Sequence, residues 1–339
     1  MFDKIAVVGA GTEAGSEIIG LIDERGFPCK EILPLDDSAS PETSVHFRGE
    51  DLQVYPVEAN SFGGCDLAFF AAGESVSARF VPEAMRQGCM VIDASEYSRR
   101  DPKVPLVIPE VNPEAIAGHS GIIASPSPST INMALALMPL HQAASITRII
   151  ASTSQSVSAH GKKGMDELAD QIKALLTFKE PEVREFPYRV AFNVIPQSGE
   201  FSENGYTRAE MGTADDIKRL FGDDKIRICL TSVIVPVLYG DFASINIETK
   251  KKMDPDGVRR VLRNAPGVKV EDDPSRGLYP MASEAVGMDE CFVGRIREDL
   301  SARNGIAMWV VSDNIRRGIV LNAVEIAEHL VQGLSAPGQ

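Results

Sequence analysis

The chain has 339 residues, of which 44% are hydrophobic and 24% charged, and a formal net charge of −14. That is the profile of a globular protein long enough for two domains and a sizeable core. The acidic balance argues against nucleic acid and anionic membrane as partners, because both need a basic surface. No apolar run approaches the roughly 20 residues of a membrane span. The five cysteines (Cys29, Cys65, Cys89, Cys229 and Cys291) are scattered, with no C-x-x-C pair. This argues against a zinc site, a redox dithiol or a disulfide framework. The opening "MFDKIAVVGAG" lacks the basic-then-apolar layout of a signal peptide, so a cytoplasmic protein is expected.

"KIAVVGAG" reads as a buried strand. The following helix, about Thr12 to Arg25, sets Gly15, Ile18, Ile19 and Ile22 on one face, and Gly26 ends it. "EILPLDD" and "DLAFFAAG" read as further strands, followed by a helix in "SARFVPEAMRQG". "MVIDAS" and "PLVIPEVN" continue the strand pattern, and "SGIIASP" is its last member. Strands alternating with helices imply a parallel, doubly wound α/β sheet. After about residue 145 the texture changes. "ITRIIASTSQSVS" reads as a long strand and "GKKGMDELADQIKALLT" as a helix. "KIRICLTSVIVPVLYGDFASINIETK" reads as strand, turn and strand, and "IVLNAVEIAEHLVQGL" as an amphipathic closing helix. Long strands with few alternations imply an α+β domain with a mixed or antiparallel sheet.

"GAGTEAG" follows the first strand and opens a helix, with the spacing G-x-G-x-x-x-G at Gly9, Gly11 and Gly15. Glycines there permit a tight turn, and the free N–H groups of the helix can bind a pyrophosphate. The second strand ends in Asp36 and Asp37, about 20 residues on, where a Rossmann fold puts the acid that holds a ribose 2′-hydroxyl. Carboxylates repel a 2′-phosphate, so NAD is expected in preference to NADP. Glu13 lies inside the loop. Either it weakens cofactor binding by bringing negative charge to the phosphate site, or it only complements the helix dipole.

The chain resembles the aspartate-semialdehyde dehydrogenase family over nearly its whole length. The resemblance is carried by "AGESVSARFVPEA", "DPKVPLVIPEVN", "STINMALALMPLH", "GKKGMDEL", "AFNVIPQ", "ENGYT", "FVGRIREDLS" and "WVVSDNIRRGIVLNAVEIAE", in order. It implies a Rossmann-type dinucleotide-binding domain over residues 1–132, completed by 319–339. A substrate and dimerisation domain over 133–318 lies between. The cofactor positions it implies are Gly9, Gly11, Thr12, Glu13, Gly15, Asp36, Asp37, Gly73 and Asn314. Members reduce aspartyl phosphate with NADPH, using a thiolate, a base and cations for the substrate carboxylate and phosphate.

Several of those positions are replaced. The loop that carries the family thiol reads Ser127, Pro128, Ser129, Thr130, which puts proline in the cysteine position. Ser127 can cap the following helix, and proline suits its first residue. Neither Ser127 nor Ser129 sits in a G-x-S-x-G elbow that would activate a hydroxyl. The base position holds Asp241, a carboxylate that ordinarily lacks the near-neutral pKa of imidazole. The substrate-arginine position holds Ile234, which cannot pair with a carboxylate. A glutamate and a lysine of the family align with Ala209 and Gly212, in a segment that reads as a loop. Gln155 matches the glutamine that orients the reacting group, and Arg99 the arginine that meets phosphate. The arginine used for the 2′-phosphate aligns with Asp37. His160, in "SAHGKKG", reads first as structural, although in an oxidoreductase without a thiol it or Asp241 would be the base.

These replacements resemble Usg-type paralogues. They lead to the expectation of a catalytically silent protein that acts as a binding, regulatory or partner dimer, as a homodimer or paired with an active family member. The alternative is an active NAD-dependent oxidoreductase on a different substrate, without a covalent thioester. No metal is expected.

Overall fold

A computed structural model describes residues 2–40 and 42–335. It divides into two compact units, Met1–Ser127 with Ile319–Gln339, and Pro128–Gly318. The division falls at 127/128, ahead of the expected 132/133, because Pro128 already opens a helix that packs within the second unit.

In the first unit the chain runs β1 (Lys4–Val8), α1 (Glu13–Glu24), β2 (Glu31–Asp36), β3 (Ser44–Phe47), β4 (Glu50–Gln53), β5 (Tyr55–Pro56), β6 (Leu67–Phe70), α2 (Glu74–Arg86), β7 (Met90–Asp93), α3 (Glu96–Arg99) and β8 (Ile122–Ala124). The sheet order is β5-β2-β1-β6-β7-β8 and every pairing in it is parallel. This is the doubly wound architecture that the alternating pattern implied. All four residues of β6, "LAFF", are buried, as expected of a strand covered on both faces. Helix α1 buries Ala14, Gly15, Ile18, Ile19, Leu21 and Ile22, one face at helical spacing. The C-terminal helix, Asn322–Ser335, completes this unit and packs on α1 and β7. Arg25 holds Glu328 there through two hydrogen bonds of 2.7 and 2.8 Å.

Three local readings change. "PLVIPEVN" forms no strand: Leu106 makes an isolated bridge to Ala124. Pro105 and Pro109 lack the N–H that a ladder needs, and the Asn112 side chain bonds Ile108 N and Leu106 O instead. The closing helix starts at Asn322, after a π-helical turn at Arg316–Leu321. The β3–β4 hairpin had no expectation. Its turn at Arg48 and Gly49 has φ of +50° and +83°, the primed-turn backbone that suits a two-residue hairpin.

The second unit runs α4 (Pro128–Ala144), β9 (Ile146–Gln155), α5 (Gly161–Leu176), α6 (Arg208–Phe221), β10 (Arg227–Ile234), β11 (Asp241–Thr249), α7 (Pro255–Arg263), β12 (Val268–Val270), α8 (Ala282–Ala285), β13 (Cys291–Asp299) and β14 (Gly305–Ser312). Its sheet, ordered β10-β9-β11-β14-β13-β12, is mixed. The three inner pairings are antiparallel and the two outer ones parallel. Along β11 buried and half-buried residues alternate, as a sheet with one packed face requires. Helix α4 is buried nearly all round because it lies between the sheet and helices α6 and α7. Among the described residues no helix is long and apolar enough to cross a membrane.

Candidate active site

The dinucleotide loop is built by close backbone approach. Gly9 has φ +95°, and Gly9 N and Ala10 N both donate to Leu35 O, at 2.8 and 2.9 Å. Thr12 N and Thr12 Oγ1 donate to Gly9 O, and Gly15 N donates back to Thr12 Oγ1 at 3.2 Å. A Cβ on Gly15 would lie 2.0 Å from Gly9 O, and one on Gly9 would lie 2.8 Å from the Ala71 carbonyl carbon. Only glycine fits either place. Glu13 and Ala14 follow as the first helical residues, where N–H groups have no intrahelical acceptor. A glycine turn ending in open helix N–H groups fits a pyrophosphate. Exposed Glu13 stands in that first turn. Gly73, φ +88°, is the N-cap of α2 and leaves that helix start without a side-chain cap.

Asp36 and Asp37 play different parts. Asp36 is buried. Its Oδ2 accepts Gly11 N at 2.9 Å, and its Oδ1 accepts Ser38 N and Ser38 Oγ, both at 2.9 Å. It therefore braces the loop while keeping acceptor capacity for a ribose hydroxyl. Asp37 is exposed and faces the Arg79 guanidinium at 3.8 Å. Further along, buried Asp93 accepts hydrogen bonds from the hydroxyls of Ser77, Ser95 and Ser98. Half-buried Arg99 follows in α3, with Nε on Ser95 O at 3.2 Å.

In the second unit Pro128 is the first residue of α4, and its ring packs on Gly318, where a Cβ would sit 2.6 Å from the ring Cβ. It offers no nucleophile. Of the cysteines, Cys29, Cys65, Cys89 and Cys291 are buried, and burial pushes the Cys89 thiol up to about 12. Exposed Cys229 lies on edge strand β10, 3.5 Å from the Tyr206 hydroxyl.

Gln155 ends β9, and its Oε1 accepts Ser198 Oγ at 2.5 Å. Ile234 is its register partner. Its side chain belongs to an apolar core with Val157, Leu168, Phe186 and Ile195. The segment with Ala209 and Gly212, expected as a loop, is the start of α6, fixed by a capping box between Thr207 and Glu210. The His160 ring meets that of Phe186 at a tilt of 60°, centroids 4.7 Å apart, and His160 faces Glu185 at 3.6 Å.

Asp241 starts β11 inside a buried polar cluster. Its Oδ1 accepts Ser156 N at 2.9 Å and Ser156 Oγ at 3.0 Å. Asn314 Oδ1 accepts Gly240 N at 3.0 Å and meets the Ser156 and Ser158 hydroxyls at 3.1 and 3.3 Å. Burial raises the Asp241 carboxyl to about 6, with Asp313 adding to the rise and the two Ser156 bonds opposing it. Asp241 thus has the near-neutral proton affinity that its residue type does not predict. Asn314, expected as a cofactor contact, is the hub of this cluster. Asp93, Ser156, Ser158 and Ser198 escape sequence reasoning. Their nearest signal is the serine density of "ASEYS" and "SQSVS".

Residues 4–119 match the profile of the semialdehyde dehydrogenase NAD-binding domain, and residues 137–317 that of the semialdehyde dehydrogenase dimerisation domain. The aspartate-semialdehyde dehydrogenase of Aquifex aeolicus is 43% identical over 333 residues, covering 97% of this chain and 98% of that one. The Bacillus subtilis enzyme of the same name is 40% identical over 334 residues, 96% of each chain. A solved structure of aspartate semialdehyde dehydrogenase II complexed with ASA, from Vibrio cholerae, is 39% identical with a TM-score of 0.94, over 98% of this chain and 99% of that one. These likenesses overturn the expectation of a catalytically silent protein. Relatives that match end to end carry the dehydrogenase name, and one of them is seen with ASA, which supports an active enzyme.

Proposed function

Since the chain belongs to the aspartate-semialdehyde dehydrogenase family, we propose that it is an active NAD(P)-dependent oxidoreductase of a small semialdehyde, aspartate semialdehyde first among them. The observation that carries its chemistry is Asp241, buried where the family has its base and poised near pH 6. With proline at position 128 in the loop, the proposed reaction runs without an acyl-enzyme. The substrate reacts as the hydrate of its aldehyde. The ionised Asp241 carboxylate takes the proton from one hydroxyl as the carbon is oxidised to the acid. The Ser156 N–H and Oγ–H hold that carboxylate in place through Oδ1. Ser198 fixes the Gln155 amide through Oε1, which leaves the Nε2 donors to orient the substrate oxygen. The dinucleotide, when bound, supplies the hydride acceptor.

Gly9, Gly11, Thr12 and Gly15 are the proposed pyrophosphate loop, and Asp36 the acid for the ribose. Glu13 completes the helix dipole there. With Asp37 exposed at the end of the same strand, NAD is the preferred dinucleotide. Gly73 and Asn314 are proposed to line the cofactor's path, and Arg99 to meet an anionic substrate group. The match to a dimerisation domain supports a homodimer.

The test is an assay of aspartate semialdehyde oxidation with NAD and with NADP, each with and without phosphate. Dinucleotide reduction that Asp241→Asn abolishes is the expected result. No turnover under any of the four conditions overturns the proposal.

A further inference from the structure

We propose that Arg79 governs the choice between NAD and NADP, by taking the 2′-phosphate whenever Asp37 does not hold it. The inference rests on reading the first unit as a dinucleotide site. At the end of β2 the two carboxylates are not equivalent. Asp36 is committed to Gly11 and Ser38, while Asp37, among the described residues, pairs with Arg79. That pair is loose: Arg79 Nη1 and Asp37 Oδ1 are 3.8 Å apart, with side chains 70% and 53% exposed. An exposed pair of this kind is held weakly and is easily exchanged for another partner. The guanidinium lies over the Phe80 ring at 4.6 Å, which steadies its plane on α2.

A planar guanidinium binds phosphate by two parallel hydrogen bonds. Arg79 therefore brings a phosphate ligand to the strand end where the ribose is read. Asp37 both neutralises it and repels the doubly charged phosphate. With Asp37 present the site favours NAD. Without it, Arg79 is free and the balance moves towards NADP. Neither side chain is part of the core, so substitutions at both leave the fold intact.

Isothermal titration calorimetry of the full chain with NAD and with NADP tests this. Asp37→Ser is expected to tighten NADP binding about tenfold, the effect of one charge-assisted phosphate contact, with NAD changed far less. Adding Arg79→Ala is expected to remove that gain. A gain of the same size in the double variant overturns the assignment to Arg79 while leaving the dinucleotide site standing. Binding of neither dinucleotide by the unmodified protein overturns the dinucleotide reading, and this inference with it.

Discussion

Asp241 is a carboxylate made unlike others by where it is buried. Its folded value of about 6 lies above the ordinary 3.8. The folded protein therefore holds this proton more tightly than the unfolded chain does. The associated stability is fully present below about pH 4 and is lost as pH rises through about 6, a change of about 3 kcal/mol. Asp241→Asn keeps an acceptor for Ser156 and cannot ionise. Denaturant unfolding at pH 5 and pH 8 is expected to show the variant gaining on the unmodified protein by about 1.4 kcal/mol at the higher pH, the part of that change that falls above pH 5. Turnover should rise through the same interval as the base ionises, and a flat pH–rate profile would count against Asp241 as the proton acceptor. Gly15 offers a second test at this scale. Alanine there would put a methyl 2.0 Å from Gly9 O, a backbone clash that no rotamer relieves. Gly15→Ala is expected to cost more than about 2 kcal/mol and to abolish dinucleotide binding, as read by thermal melting with and without NAD.

Among the elements, α6 shows how one residue ties a helix to a sheet. Glu210 accepts Thr207 N in the capping box and Ser232 N of β10, both at 2.7 Å. Thr207→Ala is expected to cost about 1 kcal/mol, as lost caps do. Glu210→Ala is expected to cost about 2–3 kcal/mol because it strands two buried N–H groups, and the two chemical melts would show that order. The start of this helix reads as a loop because its cap, Thr207, closes "ENGYT", whose glycine and asparagine signal a turn. The first unit was legible where apolar runs and helical spacing coincided, as in β1, α1 and β6. It was misread at "PLVIPEVN", whose apolar residues look like a strand although its prolines forbid one. Helix α4 was legible only at its start, through Ser127 and Pro128, since a segment buried all round has no polar face to mark its period. The glycine turn was legible because glycine is a backbone requirement written in the sequence. The state of Asp241 was not, since a proton affinity depends on what surrounds the group.

For the whole molecule, the match to a dimerisation domain leads to a definite expectation. Sedimentation equilibrium should give two copies of the 36.6-kDa chain, and a monomer at micromolar concentration would contradict it. The first unit has a further property, set by the 303 residues that separate Arg25 from Glu328. During synthesis every strand of the second unit's sheet, the last ending at Ser312, emerges before the C-terminal helix does. The later unit can therefore close first, while the earlier one waits with the apolar faces of α1 and β7 uncovered. Translation that stops just short of residue 322 would spare the unit nearest the break and cripple the one made first.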